Sequence, residues 1–142
     1  MTPHFSFKEL TVTDQSLPNI PSDFQIARLK NLANNLEIIR NTLGYPMRIN
    51  SAFRSEFINR AVKGSETSSH CDGDAADFTC AKFGTPKQIC LAIIDYGLSF
   101  DQLILEPTWV HIGFGKRMRQ QVMTKLKDGR YSPGLHGDEN GA

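Results

Sequence analysis

Four side chains of this sequence have the types and spacing to do chemistry together: His70, Asp77, His111 and Glu106. Two imidazoles and one carboxylate, with a fourth position left open, are a donor set of catalytic zinc, whereas structural zinc sites close all four positions. His70 and Asp77 lie in the stretch Ser68-Ser69-His70-Cys71-Asp72-Gly73-Asp74-Ala75-Ala76-Asp77, and His111 closes Glu106-Pro107-Thr108-Trp109-Val110-His111. Glu106 is a second carboxylate, able to stay off the metal and take a proton from water. Asp77 sits among Ala75, Ala76 and Phe78. A carboxylate in so apolar a run costs free energy unless it is paired or bound to a cation. Arg54 can clamp a peptide carboxylate with both arms of its guanidinium, which a lysine cannot do as well; its competing use is a surface salt bridge. Ser68 has two uses, a hydrogen bond to a peptide backbone or a loop cap.

These residues need elements to hold them. Ser22 and Gln25 form a capping box, and Leu29, Leu32, Ala33, Leu36, Ile39 and Leu43 make one helical stripe that Gly44 and Pro46 end. Met47 to Phe53 reads as a strand with Met47, Ile49, Ser51 and Phe53 on one face, and Arg54 follows it. Ser55 caps a short helix, Lys63 to Asp72 reads as loop, and Ala75 to Thr79 as the next strand. Gly73 lets the backbone bend so that His70 and Asp77 converge. Thr85, Pro86 and Gln88 open a second helix, which Ile89, Leu91, Ile93 and Ile94 bury, with Cys90 and Tyr96 in its packing, and which Gly97 closes. Asp101 to Glu106 and Trp109 to Phe114 pair as an antiparallel hairpin. With Pro107-Thr108 as its turn, Ile104 faces His111. Glu106, Trp109 and His111 then share one side, Glu106 roughly 7–8 Å from His111, while Val110, Ile112 and Phe114 fill the other. Asp101 is a fallback acid on the opposite face. Val122, Thr124 and Leu126 lead to an Asp128-Gly129 turn. The predicted fold is α+β: two main helices against a small, mainly antiparallel sheet whose open face carries the metal.

Composition bounds the rest. A chain of 142 residues suits a single domain, 1–142, with a frayed tail over 136–142. A hydrophobic share of 39% permits a core, and a net charge of +1 argues against a general nucleic-acid binder. No apolar run is long enough to span a membrane, and the N-terminus has no basic-then-apolar signal peptide. Phe5, Phe7 and Leu10 pin an otherwise irregular arm onto the domain. The three cysteines, Cys71, Cys80 and Cys90, lack CxxC spacing and read as free thiols.

His70, six intervening residues, Asp77 and a later Trp-Val-His resemble the zinc DD-peptidases of the M15 family, which cut the D-amino-acid peptides of bacterial cell walls. The phrases Phe5 to Thr11, Ser51-Ala52-Phe53-Arg54-Ser55 and Tyr131 to Leu135 extend the resemblance, which is to the short phage and bacterial branch. It implies one Zn²⁺ on His70, Asp77 and His111, Glu106 as catalytic base, Arg54 and Ser68 at the substrate, and a hedgehog/DD-peptidase-like fold. The implied function is hydrolysis of peptidoglycan peptides, as a DD-carboxypeptidase or an endolysin-type endopeptidase. The alternative is a non-catalytic zinc module of the same fold, binding cell wall or serving in a phage virion. The implied partner is peptidoglycan, with a monomeric enzyme made in the cytoplasm and acting on the wall after release or within a virion. Two departures stand out. In several M15 enzymes the catalytic Glu lies three residues before the last His ligand, but Glu106 lies five before His111 and position 108 is Thr. Related sites often carry a His where this chain has Trp109, although the short branch itself tolerates such a Trp.

Overall fold

The computed structural model describes residues 1–64 and 68–137. Its elements are, in chain order, α1 (Phe7–Leu10), α2 (Asp23–Leu43), β1 (Arg48–Ser51), α3 (Glu56–Ala61), α4 (Ser69–Asp72), β2 (Ala75–Thr79), α5 (Pro86–Tyr96), β3 (Gln102–Leu105), β4 (Val110–Gly113), β5 (Gln121–Lys125) and β6 (Tyr131–Pro133). The strands form one mixed sheet in the order β1-β2-β4-β3-β5-β6. Neighbours are antiparallel except β3 and β5, which run parallel. The class is α+β, as expected. The parallel contact exists because the chain leaves β4, crosses the end of β3 and returns beside it.

Both main helices start and stop where the sequence signals them. Ser22 and Gln25 close a capping box on α2, and Thr85 and Gln88 do so on α5, with Pro86 in the first turn. Gly44 and Gly97 end these helices in the left-handed conformation. The buried residues of α2 are the stripe from Leu29 to Leu43. On α5 the expected pattern needs correction. Ile89, Cys90 and Ile93 are buried, but Leu91 and Ile94 are exposed because they fall outside the stripe those three define; Tyr96, the last helical residue, is also exposed.

The core lies between these helices and the sheet face bearing Ala76, Phe78, Leu103, Leu105, Val110 and Ile112. The other face carries Asp77, His111 and Ile104, aligned across neighbouring strands by the register Asp77↔His111↔Ile104. Ile104 faces His111 as predicted. At β1 strict alternation fails. Ile49 pairs with Phe78 and Ser51 with Asp77, so a β-bulge carries the strand from the core face to the open face, and Ile49 and Ser51 do not share a side. The N-terminal arm contains a helical turn, α1, with its own capping box between Ser6 and Glu9. Phe5 and Leu10 are buried, but Phe7 is exposed and pins nothing.

The stretch expected as loop from Lys63 to Asp72 ends in the helical turn α4; residues 65–67 lie outside the described residues. At the C-terminus His136 N donates to Thr124 Oγ1 (2.9 Å) and Lys87 Nζ to the Gly137 carbonyl (2.8 Å), which tie down the start of the expected tail; residues 138–142 lie outside the described residues. The three cysteines are free, and burial pushes the Cys90 thiol up to about 12. Among the described residues no helix is long and apolar enough to cross a membrane.

Candidate metal centre and cleft

Three of the predicted site residues meet at one point. Asp77 on β2 lies directly opposite His111 on β4, and Asp77 Oδ1 is 2.9 Å from His111 Nδ1. His70 comes from α4, and its Nε2 is 3.3 Å from the same Oδ1. The two rings meet edge to face with centroids 5.2 Å apart. One candidate ligand atom from each of the three lies within 4.8 Å of the others.

The local sequence explains why His70 is aimed there. Ser68 caps α4 by accepting from His70 N (3.2 Å), and Gly73 ends it at φ +80°. A Cβ at Gly73 would also come within 3.0 Å of the Gln25 carbonyl on α2, so glycine is required twice over. Arg54 N donates to the His70 carbonyl (3.0 Å), which anchors the turn to the chain just past the bulge. His70 Nδ1 is 2.6 Å from the Ala52 carbonyl. A carbonyl only accepts, so Nδ1 carries the proton and Nε2 presents its lone pair to the cluster; this is the usual outer support of a metal-bound histidine. Burial alone would raise the Asp77 carboxyl, but the hydrogen bond from His111 and the adjoining His70 outweigh it and hold the group well below the usual carboxylate range. A fixed tautomer, an ionised carboxylate and a second imidazole, with no fourth donor in the cluster among the described residues, fit a zinc centre of the open kind.

Glu106 follows β3, and its N–H donates to the Trp109 carbonyl (3.1 Å) across the turn, so Glu106 and Trp109 face each other as predicted. Its carboxyl lines the same cleft as the cluster. Only 6% of Glu106 is exposed, and Oε1 has no hydrogen-bond partner among the described residues. Burial raises its pKa, while Lys125 and His111 pull it back in part. Asp101, the fallback acid, is taken. Arg119 donates to it from Nε (2.8 Å), Nη2 (3.0 Å) and the backbone N–H (3.0 Å), and these bonds hold its carboxyl below the usual range.

Arg54 and Ser68 line the cleft together. Arg54 Nη2 donates to Ser68 Oγ (2.9 Å), while Arg54 Nε is buried without a partner among the described residues. Ser68 is thus a helix cap and an arginine partner at once, and among the described residues Arg54 makes no salt bridge. Cys71 stays outside the cluster. Sequence reasoning missed three parts of this region: the Ala52 carbonyl behind His70, the bidentate Arg28–Asp74 pair on the cleft wall, and Lys125 with Tyr131 on the far strands. Alternation along β5 would have put Lys125 on the Met123 side, but only the pairing of β5 with β3 brings that side to Glu106.

The cleft measures about 1040 Å³. It runs across the strands, from Arg54 and Ser68 past the His-Asp-His cluster to Glu106, Lys125 and Tyr131. That is room for several residues of an extended peptide. Comparison with curated proteins gives no match. The family described as Peptidase M15 matches residues 3–113, a span that contains the whole cluster, Arg54, Ser68 and Glu106 and stops before β5 and β6, so the resemblance noted for Tyr131 to Leu135 lies outside it. With more than half of the chain matched, the protein belongs to the M15 peptidase family.

Proposed function

We propose that this protein is a zinc-dependent peptidase that hydrolyses D-amino-acid-containing peptidoglycan peptides, with His70, Asp77 and His111 as the metal ligands and Glu106 as the general base. Family membership supports a peptidase. The observation that carries the catalytic reading is Glu106: a buried carboxyl, one oxygen unpartnered, lining the cleft of the cluster and raised in pKa toward the range a base needs. Zinc held by the three ligands supplies a Lewis acid that makes water nucleophilic near neutral pH.

The chain's own residues do the rest. Glu106 takes the proton as the water oxygen joins the scissile carbonyl carbon, and returns it to the departing amine as the C–N bond breaks. The Ala52 carbonyl keeps His70 in one tautomer, and Asp77 stays ionised at working pH. Arg54, oriented by Ser68, offers its remaining N–H groups to a substrate carbonyl or carboxylate. Ile104, Trp109 and Met123 give the cleft an apolar wall beside the cluster.

Mass spectrometry of purified peptidoglycan and its soluble peptides after incubation with zinc-loaded protein tests this reading, with Glu106→Ala beside it. Release of free D-Ala identifies a DD-carboxypeptidase. Split stem peptides or opened cross-links identify an endopeptidase. A wild type that binds one zinc and yields no product overturns the hydrolytic reading and leaves a binding module of the same family. An active Glu106→Ala removes Glu106 as the base.

A further inference from the structure

Among the described residues Lys63, Lys116, Arg117 and Lys125 line the cleft without an ion pair, and of these Lys125 stands over an aromatic ring and level with Glu106, where the mechanism above leaves it unused. Two of the other cleft cations are tied down: Arg28 by both oxygens of Asp74, and Arg119 by both oxygens of Asp101. Arg54 is committed in part to Ser68. Lys125 differs. Among the described residues it makes no ion pair; its ammonium rests over the Tyr131 ring, 5.8 Å from the centroid. A cation on an aromatic face is held in place while its N–H groups stay available.

Its position is set by register. β3 and β5 run parallel with Ile104 beside Met123 and Leu105 beside Thr124, so the next step puts Glu106 level with Lys125. The Lys125 charge is close enough to lower the Glu106 pKa, yet the two form no salt bridge. Across the open face the order is therefore Asp77, His111, Glu106, Lys125, Tyr131, one strand after another. Adjacent strands are about 4.8 Å apart.

This order gives the substrate a direction. Glu106 hands its proton to the departing amine, so the leaving residue lies on the Glu106 side of the cluster. In an α-amino acid the carboxyl carbon is about 2.5 Å from the amine nitrogen. A leaving residue with its nitrogen at Glu106 can therefore reach with its own carboxyl toward the next strand, where Lys125 stands. We propose that Lys125, steadied by Tyr131, is a specificity residue that binds the free α-carboxylate of the departing C-terminal residue, so that the cleft selects substrates ending one residue beyond the scissile bond. This inference rests on the hydrolytic reading above and narrows it to a carboxypeptidase. Neither Lys125 nor Tyr131 lies in the part of the chain that the family matches.

Trp109, the chain's one tryptophan, lines the cleft and reports binding. Zinc-loaded protein is mixed with an acetylated peptide ending in D-Ala-D-Ala, as the free acid or as the C-terminal amide, and the emission change is read by stopped flow before turnover. The expected result is binding of the acid about tenfold tighter than the amide, the scale of one charge-assisted hydrogen bond. Lys125→Met is expected to reduce that ratio to near one while leaving amide affinity unchanged, and Lys125→Arg to restore it. Equal binding of acid and amide by the wild type overturns the anchor and leaves the peptidase reading intact; this arm needs no variant and no assumption about folding. A preference that survives Lys125→Met also overturns it and moves the anchor to Arg54. If neither peptide alters the emission, the substrate class fails and the anchor fails with it.

Discussion

Strand β3 is flanked by two acids, Asp101 before it and Glu106 after it, and both are almost wholly buried, 4% and 6% exposed. They are the same chemistry at the two ends of one four-residue strand, yet the structure treats them in opposite ways. Asp101 receives three hydrogen bonds from Arg119, which keep it ionised and fasten the β4–β5 connection to the sheet. Glu106 receives none on Oε1, and burial raises its pKa. A buried carboxylate with its partners supplied is a fastening. One without them carries an uncompensated desolvation cost, and such a cost marks a group kept for a task outside the folded chain itself. Arg28–Asp74 repeats the hydrogen bonding of the first pattern on the cleft wall, though there burial outweighs the arginine and raises the carboxyl, and the ionised Asp77 between two imidazoles is a third case, in which the partners are themselves groups able to turn to a metal.

The largest effect is expected at that third case. His111→Ala or Asp77→Asn should abolish stoichiometric zinc binding, read by metal analysis after dialysis, and all peptidase activity with it. The wild type should gain several degrees in Tm on adding zinc, because a ligand that binds only the folded state stabilises it by mass action. A variant that keeps one tightly held zinc would show that the cluster is not the metal centre.

Next comes the contrast between the two ends of β3. Glu106→Gln should lower kcat by about 10²- to 10⁴-fold with zinc retained, whereas Asp101→Asn should leave kcat within a few-fold and instead lower Tm by about 5 °C. Their pH signatures have opposite signs. The Glu106 pKa is raised in the fold, so its burial costs stability once pH exceeds the ordinary value of 4.5, and increasingly so up to its folded pKa. In chelated protein Glu106→Gln should therefore be more stable than wild type at neutral pH, with a gain that shrinks as pH falls toward 4.5. The Asp101 pKa is lowered, so its contribution is full above the ordinary 3.8 and is lost as pH falls below it through the folded value. Asp101→Asn should cost most at neutral pH, and the difference from wild type should close in acid. If Asp101→Asn cut turnover as deeply as Glu106→Gln, the division between fastening and working acid would be wrong.

Why the sequence revealed some of this and hid the rest follows from the range of the forces involved. Ser22 with Gln25, Thr85 with Gln88, and the glycines at 44 and 97 act over a single helical turn, so both helix limits were readable. The β3–β4 hairpin was readable because alternation and a short turn fix its register, and with it the side on which Glu106, Trp109 and His111 lie. The β1 bulge was not. One extra residue opposite Phe78 and Asp77 undoes alternation, and nothing in Arg48-Ile49-Asn50-Ser51 announces it. That bulge has consequences for the site, since it precedes the Ala52 carbonyl that fixes His70 and the Arg54 that enters the cleft. Arg119 with Asp101 and Lys125 beside Glu106 were hidden for another reason: both depend on the parallel pairing of β3 and β5, a long-range contact that no local pattern specifies.

The smallest effect tests how finely the two ends of the cleft are tuned. Ser68 Oγ accepts at once from His70 N, as the cap of α4, and from Arg54 Nη2. Ser68→Ala removes both bonds, and losing a serine cap alone costs about 1 kcal/mol. The helical turn it caps is short, and Arg54 N also holds the His70 carbonyl, so the His70 ring should keep its place against Ala52. The change should therefore leave zinc affinity within a few-fold, lower Tm by a few degrees and raise KM through a less ordered Arg54, with kcat nearly unaltered. Ser68→Thr should restore Tm, because threonine also caps, and should restore KM only if its hydroxyl still meets the guanidinium. Steady-state kinetics beside thermal melts of the two variants separate the uses of this one oxygen. Should zinc affinity fall by orders of magnitude in Ser68→Ala, α4 would be held by its cap rather than by the chain past the bulge, and the bond from Arg54 N to His70 would lose its assigned weight.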